Sequence, residues 1–440
     1  MKAIRRIFSV ILCLLLCVAL CGCTTFFSDA DSLLKAPKLT GSLQPVQEAL
    51  EMSVSGKYSL KFPVSGETKS AITLVDLNGD SKDEAVAFYS TSDDNTVTMH
   101  VAVLDGTSGV WKLTAEGKIV AGGVERVNFT DLDGDGTKEI IVGWNVYGAV
   151  DKTVSVYEYN GSSLISLIEE SYTSFMLCDL DNGFSSDLLT VYLDLSGGLS
   201  VAKYFDINSR GVTQLEVCEL DGNVTAFNDP VLVKMSDNKY CIYIDCVKGA
   251  GLITEILYVD GGSLVARFYD SETKTTEATY RPALVPCRDY DGDGDLEIPI
   301  MTAMPVDLNL SASAAYLTVW NGFDGENLVP EFYTLMNYSD GYSIRLTKEL
   351  AENTATVRNL DNRERIIYEY DYKKDDFRSE LFRIRVVSKT AYDSGIYDTE
   401  YTVLSIGEAQ VWLAKVTTEA QKYGVDRQSI KEMFELITNN

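Results

Sequence analysis

Short stretches in which hydrophobic and polar residues alternate run through most of the chain between residues 46 and 336, and turn-forming residues separate them. A period of two is typical of a β-strand that has one face on a core. In VAVLDGTSGVWKL and VSVYEYNGSSLISL, such a strand is followed by a turn and a second strand. This pattern predicts a mainly β protein that is rich in hairpins.

The strand pattern repeats along the chain. Three segments, ITLVDLNGDSKDEAVAFY, VNFTDLDGDGTKEIIVGW and LVPCRDYDGDGDLEIPIM, place an acidic loop between two strands, and FMLCDLDNGFSSDLLTVY is a weaker copy. Each is followed by a hairpin, and one further hairpin, ILYVDGGSLVARF, lacks the acidic loop. The result is five units, about 50–60 residues apart, with about four short strands each. Such units predict a β-propeller of about five four-stranded blades over residues 46–336.

The repeated pattern stops near Asn337. Strand-like runs such as LFRIRVVSK and AQVWLAKV follow, and after them comes DRQSIKEMFELIT. There Asp426 is placed to cap a helix that would carry Ile430, Met433, Phe434 and Ile437 on one apolar face. We therefore expect a small C-terminal α+β domain over residues 337–440.

The N-terminus has the pattern of an export signal. Three basic residues precede an apolar run over residues 7–20, which is too short for a membrane span and leads into LCGC at residues 20–23. This ending resembles a bacterial lipobox, in which the last cysteine receives a lipid. The resemblance implies a lipoprotein signal peptide at 1–22, lipidation of Cys23 and a tether at 23–45, with the chain anchored on the extracytoplasmic face of the cell membrane. The alternative is ordinary secretion with an unmodified Cys23.

The amino-acid composition excludes several classes of partner and site. The net charge of -27 argues against nucleic acid as a partner, because a phosphate backbone would be repelled. A single histidine, His100, excludes sites that need two imidazoles, and its alternating strand context favours a structural role. Beyond the signal, five widely spaced cysteines leave buried free thiols or a disulfide open: Cys178, Cys218, Cys241, Cys246 and Cys287.

The acidic loops carry the donors of a calcium site. In DLDGDGTKE, oxygen-bearing side chains stand at positions 1, 3, 5 and 9, and glycines at positions 4 and 6 let the backbone curl. Hard oxygen donors with several carboxylates suit Ca²⁺, which takes about 6–8 oxygens. The candidate ligands are Asp76, Asn78, Asp80, Lys82 and Glu84; Asp131, Asp133, Asp135, Thr137 and Glu139; and Asp289, Asp291, Asp293, Asp295 and Glu297, among which Lys82, Thr137 and Asp295 would contribute a backbone carbonyl.

The weaker copy keeps only part of this set. Asp179, Asp181 and Asp187 remain, but Gly183 stands at position 5. We therefore expect weak cation binding there, or none.

Two other kinds of loop have a similar pattern of aspartates and glycines. An EF-hand needs a carboxylate at position 12 and flanking helices, whereas position 12 here is Ala87, Val142 or Ile300 and strand formers follow. An acidic turn without metal is the second alternative. Three copies in the same register argue against it.

The acidic loops and their flanking strands resemble the FG-GAP/VCBS repeat of integrin-α-like propellers, with the loop pattern D-x-[DN]-G-D-G-x-x-[DE]. The resemblance covers roughly residues 50–335, and it implies a propeller with calcium between two strands of a blade. Ser81 replaces one of the usual glycines, and two units have lost the pattern.

These features favour a membrane-anchored ligand-binding or adhesion module with structural calcium and an unidentified protein or glycan ligand. One alternative is a structural or sensory lipoprotein that docks a membrane complex through its C-terminal domain. Another is an enzyme that acts on a polysaccharide. With the calcium loops set aside, the sequence shows no nucleophile motif, phosphate loop or Cys/His pairing, and so predicts that the chain is not an enzyme.

Overall fold

The structure is a computed structural model that describes residues 41–437, except 94–95, 149–150, 181–182, 184–185, 236–238, 306–314, 360, 396 and 398–399. The predicted signal peptide, most of the predicted tether and the predicted lipidation site Cys23 lie outside the described residues. The last part of the predicted tether is already helical, since a 3-10 turn at Gly41–Leu43 leads into the first α-helix.

Strands dominate the described chain, as the alternating pattern predicts. In chain order the strands are β1 Tyr58–Leu60, β2 Ile72–Val75, β3 Glu84–Asp93, β4 Thr96–Asp105, β5 Lys112–Val120, β6 Gly123–Thr130, β7 Glu139–Asn145, β8 Thr153–Tyr159, β9 Leu164–Ser171, β10 Ser174–Cys178, β11 Asp187–Asp194, β12 Leu199–Asn208, β13 Gly211–Gln214, β14 Cys218–Glu219, β15 Ala226–Phe227, β16 Val231–Lys234, β17 Tyr240–Lys248, β18 Gly251–Asp260, β19 Ser263–Ala266, β20 Ile298–Ala303, β21 Tyr316–Phe323, β22 Leu328–Asn337, β23 Tyr342–Leu346, β24 Thr354–Asn359, β25 Glu364–Asp371, β26 Asp376–Ser388, β27 Thr402–Ile406, β28 Gln410–Val416 and β29 Phe434–Leu436. The helices are α1 Gln44–Ser53, α2 Lys348–Glu352, α3 Lys389–Asp393 and α4 Ser429–Glu432, with a second 3-10 segment at Thr418–Tyr423.

The strands form successive antiparallel sheets of four or five strands, which confirms the mainly β prediction. The sheet orders are β1-β3-β4-β5 with β2 also on β3, β6-β7-β8-β9, β10-β11-β12-β13 with β14 on β12, β15-β17-β18-β19 with β16 on β17, β20-β21-β22-β23-β29, and β24-β25-β26-β28-β27. Neighbouring strands are mostly consecutive in sequence, so short hairpins make most of the connections.

The chain divides into two compact units, Met1–Ser171 and Tyr172–Asn440. In the first unit, β3 is buried on both faces: Val86 and Phe88 join one core cluster, and Ala85, Ala87 and Tyr89 join another. The first of these clusters also contains residues of β6 to β8, so it holds the first two sheets together. Burying a Val, Leu or Phe side chain contributes about 1.5–3 kcal/mol.

In the second unit, one core cluster joins β10, β11 and β12 to β17 and β18. Another joins β22 and β23 to the C-terminal sheet, through side chains such as Leu335, Ile344, Ile384 and Trp412. The strand that follows the predicted boundary at 336/337, β23, belongs to the same sheet as β20–β22.

The predicted C-terminal helix is largely wrong. Only Ser429–Glu432 is α-helical, and Phe434–Leu436 forms β29, which pairs with β23. Pairing of Ile344 with Phe434 buries the Phe434 ring beside Trp412, and this tertiary contact outweighs the local helical pattern. Asp426 still caps the turn, since its Oδ1 accepts the amides of Gln428 and Ser429.

No helix in the described part of the chain is both long and apolar enough to cross a membrane. The five described cysteines are free thiols, and all except Cys287 are buried.

Candidate metal centre

The three acidic loops occupy equivalent places in their sheets. The first loop, Asp76–Glu84, joins β2 to β3, and the second loop, Asp131–Glu139, joins β6 to β7. The third loop, Asp289–Glu297, leads into β20. In every case the residue before position 1 pairs with the glutamate at position 9, so the strand register returns the chain to the same point.

Each loop curls around the aspartate at position 1. In the second loop, Asp131 accepts the amide of Gly134 at 2.7 Å on one oxygen and the amide of Gly136 at 2.9 Å on the other. The first and third loops repeat both bonds. Positions 4 and 6 have positive φ in all three loops, which favours glycine. Ser81, at position 6 of the first loop, adopts φ 69° without being a glycine.

A buried glutamate closes each loop at position 9. Glu84, Glu139 and Glu297 are at most 2% exposed. One carboxylate oxygen of each accepts the amide at position 2, for example Leu132 N to Glu139 Oε2 at 2.7 Å. The pKa of Glu139 and of Glu297 is raised to about 7, mainly by burial and to a smaller extent by the negative charge of nearby carboxylates.

The structure brings acidic groups together in two of the loops. In the third loop, one oxygen each from Asp289, Asp291, Asp293 and Glu297 lies within 4.8 Å of the others. In the second loop, Asp131, Asp133 and Glu139 meet the same condition. Oxygen-only donors at this spacing suit a hard divalent cation.

Glu297 strengthens the fit of the third loop to a cation. Its Oε2 accepts the amide of Tyr290 at 2.7 Å, but its Oε1 is buried and has no hydrogen-bond partner among the described residues. A buried carboxylate oxygen without a donor is costly, and a cation would supply the missing contact.

Other predicted ligands lie outside these groups. Asp135 is outside the converging group of the second loop, and its Oδ1 accepts the amide and the hydroxyl of Thr137 at 2.7 and 2.6 Å. In the first loop, Asn78 donates from its amide nitrogen to Glu84 Oε1 at 2.8 Å. The equivalent oxygen of the third loop, Glu297 Oε1, has no such partner among the described residues. The backbone amides of Lys82 and Asp295 donate to the side chains at position 5, Asp80 and Asp293.

In the weaker copy, the amide at position 2 has a different hydrogen-bond partner. Asp179 Oδ1 still accepts the amide of Gly183 at 3.0 Å, whereas Asp181 lies outside the described residues. Leu180 N donates to the hydroxyl of Tyr204, which donates to Asp187 Oδ2, and Asp187 Oδ1 accepts from the backbone. Both described oxygens of Asp187 are thus engaged by protein donors.

The first and second loops touch. The amide of Lys138 donates to the carbonyl of Leu77 at 2.9 Å, and a Cβ on Gly79 would lie 3.0 Å from the carbonyl oxygen of Gly136. The shape of either loop therefore constrains the other.

Sequence reasoning missed two charged residues beside the third loop. Arg345 places Nη2 4.0 Å from Asp291 Oδ2. Glu331 lines a cavity of about 460 Å³ together with Glu297 and Asp295. Both come from strands more than 30 residues away along the chain, so no local pattern marks them.

Comparison with protein-family models and with curated proteins finds no match. Solved structures that the chain matches include the periplasmic gluconolactonase of Pseudomonas aeruginosa, at 11% identity and a TM-score of 0.24 over 72% of this chain and 85% of that one. A rhamnogalacturonan lyase of Bacillus licheniformis has 12% identity and a TM-score of 0.29 over 73% and 71%. The Dos1 propeller has 10% identity and a TM-score of 0.26 over 72% and 79%.

These structures correct the prediction that the chain is not an enzyme. A gluconolactonase, rhamnogalacturonan lyases and an exo-β-1,3-galactanase are among them, which contradicts the prediction, drawn from the absence of catalytic sequence motifs, that the chain is not an enzyme. At these identities the likeness concerns the fold alone, and it assigns no activity to this chain.

Proposed function

We propose that the chain is an extracytoplasmic lipoprotein whose successive sheets are the blades of a β-propeller, with calcium in the acidic loops and a face that binds a ligand. The observation that carries the calcium proposal is the third loop, where four carboxylates converge and Glu297 keeps a buried oxygen without a hydrogen-bond partner among the described residues. Calcium fits this site better than magnesium, because Mg²⁺ prefers fewer protein ligands and more water.

Calcium would stabilise the fold by linking the ends of the strands that flank each loop. Each loop joins a strand to the next one in its sheet or leads into a strand, so a cation held at positions 1, 3 and 9 ties both ends of the loop to one point. When the free calcium concentration is a hundred times the dissociation constant of a site, and only the folded state binds, calcium stabilises the folded state by about 2.7 kcal/mol. Two or three such sites rival the net stability of a typical domain.

The net charge supports this assignment. At -27 for the whole chain, clustered carboxylates repel one another unless a cation neutralises them. Burial is the largest cause of the raised pKa of Glu139 and of Glu297, and repulsion by neighbouring carboxylates adds to it.

Thermal unfolding of the full chain tests the metal. We expect millimolar Ca²⁺ to raise the melting temperature well above that in chelator, and Mg²⁺ to raise it much less. Asp133→Ala should diminish the rise. A melting curve that is the same in chelator and in Ca²⁺ would end the calcium proposal.

The membrane anchor has its own test. Cells that express the chain are labelled with palmitate, and we expect label on the wild type and none on Cys23→Ala. Label on both variants, or on neither, would contradict lipidation at Cys23.

Ligand binding is tested on glycan and protein arrays, with the chain applied in calcium and in chelator. We expect a ligand that is retained in calcium and lost in chelator. Binding to no ligand of either class in calcium would contradict a ligand-binding role.

A further inference from the structure

Glu331 occupies an irregular position in the sheet that follows the third loop. In the pairing of β21 with β22, Trp320 lies opposite Phe332, but the next residue, Asn321, lies opposite Pro330. Glu331 is therefore the extra residue of a β-bulge. Bulges bend a strand and re-aim a side chain, and they are common beside binding sites.

The neighbouring strand makes room for this side chain. Gly322 lies within β21, where a glycine weakens a strand unless something approaches closely. A Cβ on Gly322 would lie only 2.2 Å from Glu331 Oε1. The glycine thus leaves the space that the Glu331 carboxylate occupies.

The Glu331 carboxylate faces the same cavity as the third loop, outside the group of four carboxylates whose oxygens lie within 4.8 Å of one another. Glu331, Asp295 and Glu297 line the same cavity of about 460 Å³. Partial burial raises the pKa of Glu331, and the charges of Asp293, Asp291 and Asp295 raise it further, as expected for a carboxyl close to the loop.

A second observation points independently to a ligand. Glu297 Oε1 is buried without a hydrogen-bond partner among the described residues. Glu297 and Glu331 both line the cavity of about 460 Å³. Among the residues that line this cavity, four are acidic and one, Lys234, is basic. A cation satisfies both the lone oxygen and the excess negative charge.

We propose that Glu331 supplies a carboxylate oxygen, from a strand outside the loop, to the divalent cation held by the third loop. This inference rests on the proposed calcium binding by that loop. It adds a fifth carboxylate to Asp289, Asp291, Asp293 and Glu297. The third loop is then a stronger site than the second, whose described acidic group has three members.

Terbium luminescence can observe this site. Position 2 of the third loop is Tyr290, whereas the first and second loops have Leu77 and Leu132 there. The part of the Tb³⁺ emission that Tyr290→Phe removes reports the third loop, and displacement by Ca²⁺ gives the calcium affinity.

Two variants address Glu331. We expect Glu331→Gln to weaken Ca²⁺ binding at the third loop about tenfold or more, because fewer charged ligands lower calcium affinity. Gly322→Ala should weaken it too, because the new methyl group displaces the carboxylate. Glu326→Gln, an exposed change in the hairpin between the same strands, is the matched control and should leave the affinity unchanged.

The outcomes are distinguishable. If the wild type gives no Tyr290-dependent emission, calcium binding by the third loop fails, and this inference fails with it. If the wild type binds and Glu331→Gln binds equally well, calcium binding stands and the role of Glu331 is refuted. Melting curves in chelator confirm that each variant is folded, and Gly322→Ala provides the test if Glu331→Gln is not.

Discussion

The hydroxyl of Tyr204 donates a 2.6 Å hydrogen bond to Oδ2 of Asp187 and accepts the amide of Leu180 at 3.0 Å. In the three acidic loops, a glutamate at position 9 accepts the amide at position 2 directly. Aspartate is one methylene shorter, and the tyrosine hydroxyl fills the difference. In the weaker copy, a tyrosine from β12 therefore links the Leu180 amide to Asp187.

Tyr204→Phe should destabilise the protein by about 1–3 kcal/mol, because it leaves the buried Leu180 amide and an Asp187 oxygen without this partner. The loss should be the same with calcium and with chelator. Tyr240→Phe, which removes a hydroxyl from a tyrosine packed on the same core cluster, is the control and should cost under about 0.5 kcal/mol. Urea unfolding measures both, and equal losses in the two variants would refute the bridging role.

Much of the strand pattern and the position of the acidic loops follow from local sequence. Alternation marks the strands, and the spacing of Asp131, Asp133 and Glu139 marks a loop whose carboxylates meet. Local sequence does not reveal β29, because its pairing with β23 joins segments about 90 residues apart and overrides a helical pattern. It did not lead us to predict the helix Gln44–Ser53 either.

Long-range contacts also decide which predicted ligands meet. The repeat pattern treats Asp135 like Asp293, yet Asp293 belongs to a converging group and Asp135, which accepts the hydroxyl of Thr137, does not. Glu331 and Arg345 reach the third loop from β22 and β23. Only the pairing of strands places Glu331 and Arg345 near the loop, so the sequence of the loop itself does not predict them.

Ser81→Gly should stabilise the protein by about 1 kcal/mol. Ser81 has φ 69°, a conformation that costs a residue with a Cβ roughly 1–2 kcal/mol and costs glycine little. Ser108→Gly, in an exposed turn where the serine does not have positive φ, should be neutral or destabilising. A melting temperature that falls in Ser81→Gly would contradict this account of the first loop.

Asp133→Asn should weaken calcium binding at the second loop by about tenfold or more, and Asp135→Asn should weaken it much less. The reason is that Asp133 belongs to the converging group, whereas Asp135 is engaged by Thr137. Calorimetric titration with Ca²⁺ measures both variants. The reverse order of effects would mean that the loop rearranges around the cation.

The buried Glu255 makes stability depend on pH. Its Oε1 accepts the amide of Asp221 at 2.9 Å, and both oxygens face the hydroxyl of Thr276. Burial raises the pKa of Glu255 from 4.5 to about 7, and the charge of Asp221 contributes. The folded state therefore binds this proton more tightly than the unfolded state, so stability falls as the pH rises from about 4.5 to about 7.

We expect Glu255→Gln to remove roughly 2–3 kcal/mol of this pH-dependent loss, at about 1.4 kcal/mol per unit of pKa difference. Urea unfolding from pH 5 to pH 8 in saturating calcium isolates Glu255 from the loop carboxylates. Glu216→Gln, at an exposed position, should keep the wild-type slope. Identical slopes in wild type and Glu255→Gln would rule out this residue as the cause.

Arg345→Gln should strengthen calcium binding at the third loop by about two- to fivefold. Its guanidinium lies 4.0 Å from Asp291 and competes with a cation for that carboxylate, and a partly exposed pair is worth about 1 kcal/mol or less. The Tyr290-dependent terbium signal measures the change. Lys348→Gln, an exposed charge change nearby in the chain, should have no effect, and a weaker site in Arg345→Gln would refute the competition.

Native mass spectrometry of the full chain in free calcium counts bound ions directly. We predict at least two Ca²⁺ ions per chain, with one fewer in Asp133→Asn, one fewer in Asp291→Asn and none in chelator. A chain that keeps its metal-free mass in millimolar calcium would contradict the proposal that these carboxylates hold calcium.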